Sequence, residues 1–282
     1  MIRSNAHDIR ALLPLLAITA GGAGTLRAQD KAPPTRLRFA ISFPASRSTS
    51  PLDGRIILVI SDNARREPRL ENNVYQADTQ LAFGVDVDGL KPGAPAFVDG
   101  KTFGYPLESI ARIPPGDYYV QAVLNRYETF HRSDGHTVKL HMDQGEGQHW
   151  NTAPGNLYNA PLRVHVDPTS NQTIRLSLDQ EIPPIARPKD TKYVKYVRIE
   201  SAVLTKFWGR PMFLGAIVLL PEGFDEHPNA RYPLMIDHGH FTNQLRSFRE
   251  TPAPAGAGRR GGGRAGGGDP AYEFYKQWTG PS

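Results

Sequence analysis

Two histidines separated by one glycine form the stretch of this sequence with the clearest potential for chemistry. His238-Gly239-His240 comes just after the apolar run 234–236, whose lack of strict alternation predicts a strand buried on both faces. A glycine at the end of such a strand allows a sharp turn that exposes backbone N–H groups. Open α/β enzymes bind their ligands just outside the carboxyl ends of such strands. The pattern therefore predicts a functional turn, with a purely structural strand end as the alternative.

A metal site is a second interpretation of this stretch. Side chains two residues apart on an extended strand point to the same face, so His238 and His240 could share one metal ion. Metal-dependent amidohydrolases also use His-x-His at a strand end, but with a residue between the Asp and the first His, whereas Asp237 directly precedes His238. Gly239 also favours a turn over a strand. We therefore expect neither a metal site nor a cofactor.

Histidines are also frequent between residues 131 and 149. His136 and His141 have opposite parity, so one strand would send them to opposite faces, and the pattern predicts a polar hairpin rather than a metal site. Trp150 and Tyr158 follow among asparagines and glycines. These two aromatic residues could line a carbohydrate surface or belong to the core.

Short strands and turns are predicted for most of the chain up to residue 182. Residues 37–43 and 81–87 alternate between apolar and other positions, and the run 56–60 is continuously apolar. Further strands are predicted within 113–124, 162–166 and 174–178. The absence of a helical stripe predicts a mainly β sandwich over residues 35–182. The Pro-Gly-x-Tyr-x-Val run at 115–120 resembles the turn and strand of immunoglobulin-like or transthyretin-like accessory domains.

Export is predicted from the first 28 residues. They combine positive charge at Arg3 and Arg10 with a short apolar segment, as in a secretory signal peptide, and the apolar segment is too short to span a bilayer. The alternative is a disordered cytosolic N-terminus. The chain of 282 residues contains no cysteine, which excludes disulfides and thiolate zinc sites. We expect a periplasmic or secreted protein that is not bound to a membrane after signal cleavage.

The second half of the chain is divided by two unusual segments. The proline-rich stretch 183–192 predicts an extended linker between the sandwich and residues 193–282. Two strands are expected at 193–204 and 213–220, joined by a tight aromatic turn at 207–211. Residues 253–268 form a low-complexity Gly/Arg loop. Its three arginines resemble RGG segments that contact nucleic acid, but without interleaved aromatics a loop insertion is favoured, and we expect no nucleic-acid partner. A short helix is predicted between Asp269 and Gly280.

A family resemblance connects the two strands with the histidine turn. The segment Leu220-Pro221-Glu222-Gly223-Phe224-Asp225, followed by Tyr232-Pro233 and an aliphatic run ending in His238-Gly239, resembles the opening of esterase domains of the α/β-hydrolase family. Two motifs in the expected order and spacing, within residues 195–245, carry this resemblance. Together with an exported β-rich region, the chain resembles a group of secreted bacterial esterases.

The resemblance implies both a site and a missing part. The His-Gly turn would help to form the oxyanion hole, with His238 and Gly239 shaping it and the backbone N–H of His240 or Phe241 donating. Such enzymes also need Gly-x-Ser-x-Gly, followed by an acid and a histidine, and no serine here has glycines at that spacing. We therefore expect the front part of an enzyme that acts on a small-molecule or carbohydrate ester, with no catalytic residue in this chain and no esterase activity. The alternative is a noncatalytic β-sandwich that binds a glycan or a protein.

Overall fold

The computed structural model of the chain describes residues 32–71, 79–237, 245–254 and 269–280. The fold is mainly β, with 35% strand and 12% helix, which confirms the predicted predominance of strands. The predicted signal segment 1–28 and most of the Gly/Arg loop 253–268 lie outside the described residues. The regular elements of the described residues are the following.

In chain order, the strands are β1 (Arg38–Ser42), β2 (Leu52–Ser61), β3 (Leu81–Leu90), β4 (Ala96–Val98), β5 (Gly104–Tyr105), β6 (Gly116–Arg126), β7 (Glu128–His131), β8 (Thr137–Leu140), β9 (Leu157–Tyr158), β10 (Leu162–Val166), β11 (Thr173–Ser177), β12 (Gln180–Glu181), β13 (Val194–Glu200) and β14 (Phe213–Leu219). The α-helices are α1 (Ala202–Trp208) and α2 (Pro270–Thr279). Short 3-10 turns lie at Pro68–Leu70, Ile110–Arg112 and Phe224–Glu226.

Two sheets enclose the main core. The larger sheet has the strand order β12-β9-β6-β2-β3-β5, with β10 also paired to β6, and the smaller sheet has the order β11-β1-β4. Apolar side chains from the inner faces of both sheets form one buried cluster, which includes Phe39 and Ile41 from β1 and Ile56, Leu58 and Ile60 from β2. The alternation predicted for residues 37–43 is confirmed in β1, and in β2 Ile56, Leu58 and Ile60 from the continuously apolar run 56–60 face this shared core.

A second, smaller core lies under the hairpin of β13 and β14. Its buried residues are Tyr193, Val194 and Phe248, and the aromatic residues of α2 pack against them. The predicted start of α2 is confirmed, because the Asp269 side chain accepts a hydrogen bond from the Ala271 N–H. The indole N–H of Trp278 also donates to the Leu220 carbonyl, at 2.7 Å, which ties α2 to the end of β14.

The strand predicted at 193–204 ends earlier, and a helix follows it. β13 ends at Glu200, and the Ser201 hydroxyl accepts a hydrogen bond from the Leu204 N–H, which begins α1. Gly209 ends α1 in the left-handed conformation, with φ of 68°. The last two residues of α1, Phe207 and Trp208, begin the predicted aromatic turn at 207–211, and Gly209 to Pro211 complete it outside the helix. The apolar pattern did not reveal the helix, which a serine cap and a C-terminal glycine define.

The buried strand predicted around residues 234–236 is not observed. Residues 231–237 contain no strand, and Leu234, Met235 and Ile236 are 82%, 89% and 79% exposed. A strand covered on both faces needs neighbouring strands and two flanking layers. These three side chains have no such cover, so the apolar run remains exposed.

The proline-rich stretch has no helix or strand between Ile182 and Tyr193, as predicted for a linker. None of the described helices has the length and apolar character needed to cross a membrane.

Candidate functional site

The four residues predicted to form an oxyanion hole, His238, Gly239, His240 and Phe241, lie outside the described residues. The same is true of the metal interpretation, which depends on His238 and His240. The structure does describe the residues that lead to this turn, and they are exposed. The oxyanion role therefore stays a prediction from the sequence.

The turn after β14 is held by a small polar cluster. Gly223 has φ of 71°, a value that favours glycine, and the preceding Glu222 side chain reaches back to the start of β13. There, Glu222 accepts hydrogen bonds from the Tyr193 hydroxyl and from Lys192 Nζ, the latter at 3.0 Å. These bonds, first from Tyr193 and then from Lys192, lower the pKa of Glu222. The cluster fixes the Leu-Pro-Glu-Gly-Phe-Asp turn against the hairpin.

The histidine-rich stretch forms the predicted polar hairpin. β7 and β8 pair antiparallel, and His131 Nδ1 lies 3.0 Å from Thr137 Oγ1 across the hairpin. His136 pairs with Asp134 at 3.2 Å, close to the turn between the strands. In the described part of the chain, no group of three or more His, Asp or Glu side chains is placed to hold a metal ion.

One histidine of this stretch is buried and paired with a carboxylate. His141 Nε2 lies 3.0 Å from Glu146 Oε1, and the two side chains are 9% and 1% exposed. His141 Nδ1 also lies 3.1 Å from the Arg126 carbonyl, and Glu146 Oε2 accepts from the Gln144 N–H at 2.8 Å. Because each polar atom of the pair has a partner and the carboxylate is closed to solvent, the pair anchors the loop after β8 to β6.

An open groove lies on the outer face of the larger sheet. Its volume is 220 Å³, and it lies where β2, β3 and β5 run side by side. The floor comes from Ile57 and Ala82, and Phe103 and Tyr105 line it from the β5 edge together with Trp150 from the loop between β8 and β9. Phe103 is 69% exposed and Tyr105 is 52% exposed. The groove thus presents aromatic surface to solvent.

The charged side chain of the groove, Arg55, is paired with a carboxylate beside the groove. Arg55 also lines the groove, and its NH1 lies 2.8 Å from Asp86 Oδ1 on the neighbouring strand. The Arg55 guanidinium lies directly over Gly84. A Cβ at position 84 would be 2.7 Å from two of its nitrogens, so a larger residue would collide with it. Glycine at position 84 therefore keeps a flat surface over which the guanidinium extends. The groove therefore offers guanidinium N–H donors, and the Asp86 carboxylate lies beside it.

The loop that carries Trp150 is fixed by buried hydrogen bonds. The fully buried Asn156 side chain donates to the Trp150 carbonyl at 2.8 Å and accepts from the Arg126 N–H at 2.9 Å. Asn151 follows Trp150 in the chain. Its side chain donates to the Arg69 carbonyl at 3.0 Å, and its backbone carbonyl accepts from the Arg69 guanidinium. Both contacts join the loop to the sheet region, so the Trp150 backbone is held in one position.

The structure separates the two aromatic residues that the sequence offered for a carbohydrate surface or the core. Trp150 lines the groove, but Tyr158 does not, since the Arg69 guanidinium stacks over its ring at 4.5 Å from the ring centre. Sequence reasoning missed Phe103 and Tyr105. The signal available in the sequence is their spacing, because side chains two residues apart on an extended segment point to the same face.

Comparisons with family models, with curated proteins and with solved structures found no match to this chain.

Proposed function

We propose that this chain is the front part of a secreted ester hydrolase of the α/β-hydrolase type. In this proposal residues 35–182 are an immunoglobulin-like accessory domain, and residues from 193 onward begin the hydrolase domain. The observation that carries the proposal is the order of two motifs. The Leu-Pro-Glu-Gly-Phe-Asp turn directly follows β14, and the Tyr-Pro-aliphatic run ending in His-Gly comes next.

The surface of the hairpin supports this proposal. One face of β13 and β14 packs against α2 and Phe248, whereas the opposite face is apolar and open. On that open face, Val197 is 37%, Ile199 58% and Leu214 54% exposed. A sheet in an α/β protein carries layers on both faces, and an apolar face of this kind normally packs against another layer. The exposed run 234–236 has the composition of a further buried strand.

The chemistry of this hydrolase would be acyl transfer. Backbone N–H groups that follow the His-Gly turn would stabilise the oxyanion of the tetrahedral intermediate. The nucleophile has to come from polypeptide outside these 282 residues, because no serine in the sequence lies in a Gly-x-Ser-x-Gly elbow. The chain alone should therefore not turn over ester substrates.

Reading the coding DNA after the codon for Ser282 tests the proposal first. We expect an in-frame Gly-x-Ser-x-Gly, followed by an acid and a histidine, and p-nitrophenyl acetate hydrolysis by the product that includes them. The 282-residue chain should hydrolyse this ester no faster than a boiled sample. An open reading frame without the elbow, or turnover by the 282-residue chain, would contradict the proposal.

A proline substitution tests the oxyanion assignment in the product that includes the elbow. His240→Pro and Phe241→Pro each remove one backbone N–H, and loss of the donor that serves the oxyanion should lower kcat by about 10²- to 10³-fold. Ala257→Pro, in the Gly/Arg loop, is the matched control and should leave kcat unchanged. Unchanged kcat in both proline variants at 240 and 241 would refute the assignment.

The second candidate function is noncatalytic ligand binding by the β-sheet region. The groove lined by Phe103, Tyr105 and Trp150 favours it, because this region displays aromatic surface far along the chain from the His-Gly turn.

A further inference from the structure

We infer that the groove lined by Phe103, Tyr105 and Trp150 binds one pyranose ring of a neutral oligosaccharide. This inference does not depend on the proposed hydrolase, because each residue that carries it belongs to the sheet region 35–182.

The aromatic side chains supply the stacking surface. Phe103 and Tyr105 are two residues apart around Gly104, so they point to the same side of the β5 edge. Large exposed aromatic side chains gathered at one concave place mark a binding site more often than scattered single residues do. The C–H faces of a pyranose are apolar and pack on aromatic rings, while its hydroxyl groups lie around the rim of the ring. The groove has the matching arrangement of an apolar centre with polar groups at one end.

The polar end selects a neutral polyol over an anion. Arg55 donates to Asp86 at 2.8 Å, so the guanidinium charge is already balanced inside the site. The two side chains are 39% and 71% exposed, which leaves the guanidinium donor in the groove and the carboxylate acceptor beside it both accessible to solvent. A hydroxyl group can both donate and accept a hydrogen bond, so a sugar rim can use both partners.

The size and shape of the groove define the occupant further. Its 220 Å³ is below the roughly 300 to 1,000 Å³ of pockets that enclose a drug-sized ligand, which fits one ring of a longer, otherwise solvated chain. An added peptide strand is disfavoured, because the floor consists of side chains on a sheet face rather than of an open strand edge. The backbone N–H of Gly84, at the groove, already donates to the Phe103 carbonyl at 3.2 Å.

The groove is also organised before any ligand arrives. Asn156 fixes the Trp150 carbonyl, and Arg69 fixes Asn151, so binding does not have to order this loop. A pre-formed site avoids the entropic cost of ordering side chains and loops on association.

Titration calorimetry of the 282-residue chain with cellohexaose, xylohexaose and mannohexaose tests the inference. We expect at least one of these neutral probes to bind with a Kd of about 1 mM or tighter. Trp150→Ala and Tyr105→Ala should each weaken that binding by about tenfold, the upper range for loss of one ring contact. The matched control is Phe97→Ala, which removes a 41% exposed ring from the smaller sheet and should leave the affinity unchanged.

Three outcomes would overturn the inference. The first is the absence of binding for all three neutral probes up to about 10 mM. The second is binding that Trp150→Ala and Tyr105→Ala leave unchanged. The third is tighter binding of trigalacturonate than of every neutral probe, which would show an anion site instead. Circular dichroism melting of each variant verifies folding. If Trp150→Ala fails to fold, the affinity of Tyr105→Ala alone tests the inference, because Tyr105 is half-exposed.

Discussion

Asn156 is the residue whose replacement should disturb both the sheet and the groove. Its side chain is fully buried and makes three hydrogen bonds: it accepts from the Arg126 N–H at 2.9 Å and donates to the Trp150 carbonyl at 2.8 Å and to Asn125 Oδ1 at 3.0 Å. Asn156→Ala removes all three bonds. It also leaves a backbone donor of β6 and a backbone acceptor of the Trp150 loop without that partner.

The expected cost follows from these three bonds. A typical intramolecular hydrogen bond contributes about 1 kcal/mol net, so their loss should lower the free energy of unfolding by about 3 kcal/mol. For a domain of this size, that corresponds to a fall in Tm of about 6 to 12 °C. Asn156→Asp keeps the acceptor for the Arg126 N–H but turns the donor toward Trp150 and Asn125 into another acceptor. Asn156→Asp should therefore lower the free energy of unfolding at least as much as Asn156→Ala does.

Urea and thermal unfolding followed by circular dichroism measure this cost. Asn171→Ala is the matched control, because Asn171 is exposed, and it should change the free energy of unfolding by no more than about 0.5 kcal/mol. A similarly small effect of Asn156→Ala would refute the reasoning. It would mean that water or relaxation of the loop replaces all three bonds.

Four further substitutions, at three positions, test the packing and charge pairs of the sheet region. Glu146→Ala should destabilise the fold by about 3 kcal/mol in urea unfolding, because it strips the buried partner of His141. Glu146→Gln should lower the free energy of unfolding clearly less than Glu146→Ala, since Nε2 of a neutral His141 imidazole can accept a hydrogen bond from the new amide. Equal losses for the two variants would refute this. Gly104→Ala should cost about 1 to 3 kcal/mol by the same assay, because the new Cβ would lie 2.2 Å from an aromatic carbon of Phe83, and an unchanged midpoint would contradict the overlap. The pKa of Asp53 is lowered by hydrogen bonds, chiefly from the lysine of β8, so its stabilisation is complete above its unfolded pKa of about 3.9 and is lost as the pH falls through the folded value. Asp53→Asn should therefore lower Tm more at pH 7 than near pH 2, and an equal loss at both pH values would show that the charge is not involved.

The sequence by itself determined the mainly β character and the positions of many strands. Alternation at Phe39 and Ile41, and the continuous run in β2, identified core-facing positions, because the side-chain period of a strand is two. The sequence also predicted the start of α2. Asp269 caps the first turn, and Pro270 is favoured at the first helical position, so both residues act on the backbone next to them. The sequence also predicts a polar hairpin for the histidine-rich stretch, and β7 and β8 form it.

Only the tertiary structure decided which residues meet over long distances. The groove joins Arg55, Tyr105 and Trp150, and the loop behind it depends on Asn156 and Arg69. No local pattern shows that such distant positions converge, because strand order is set by pairing across the sheet rather than by neighbours in the chain. The run 234–236 shows the opposite case. Its composition is that of a buried strand, but burial requires neighbours, and without them Leu234, Met235 and Ile236 remain exposed.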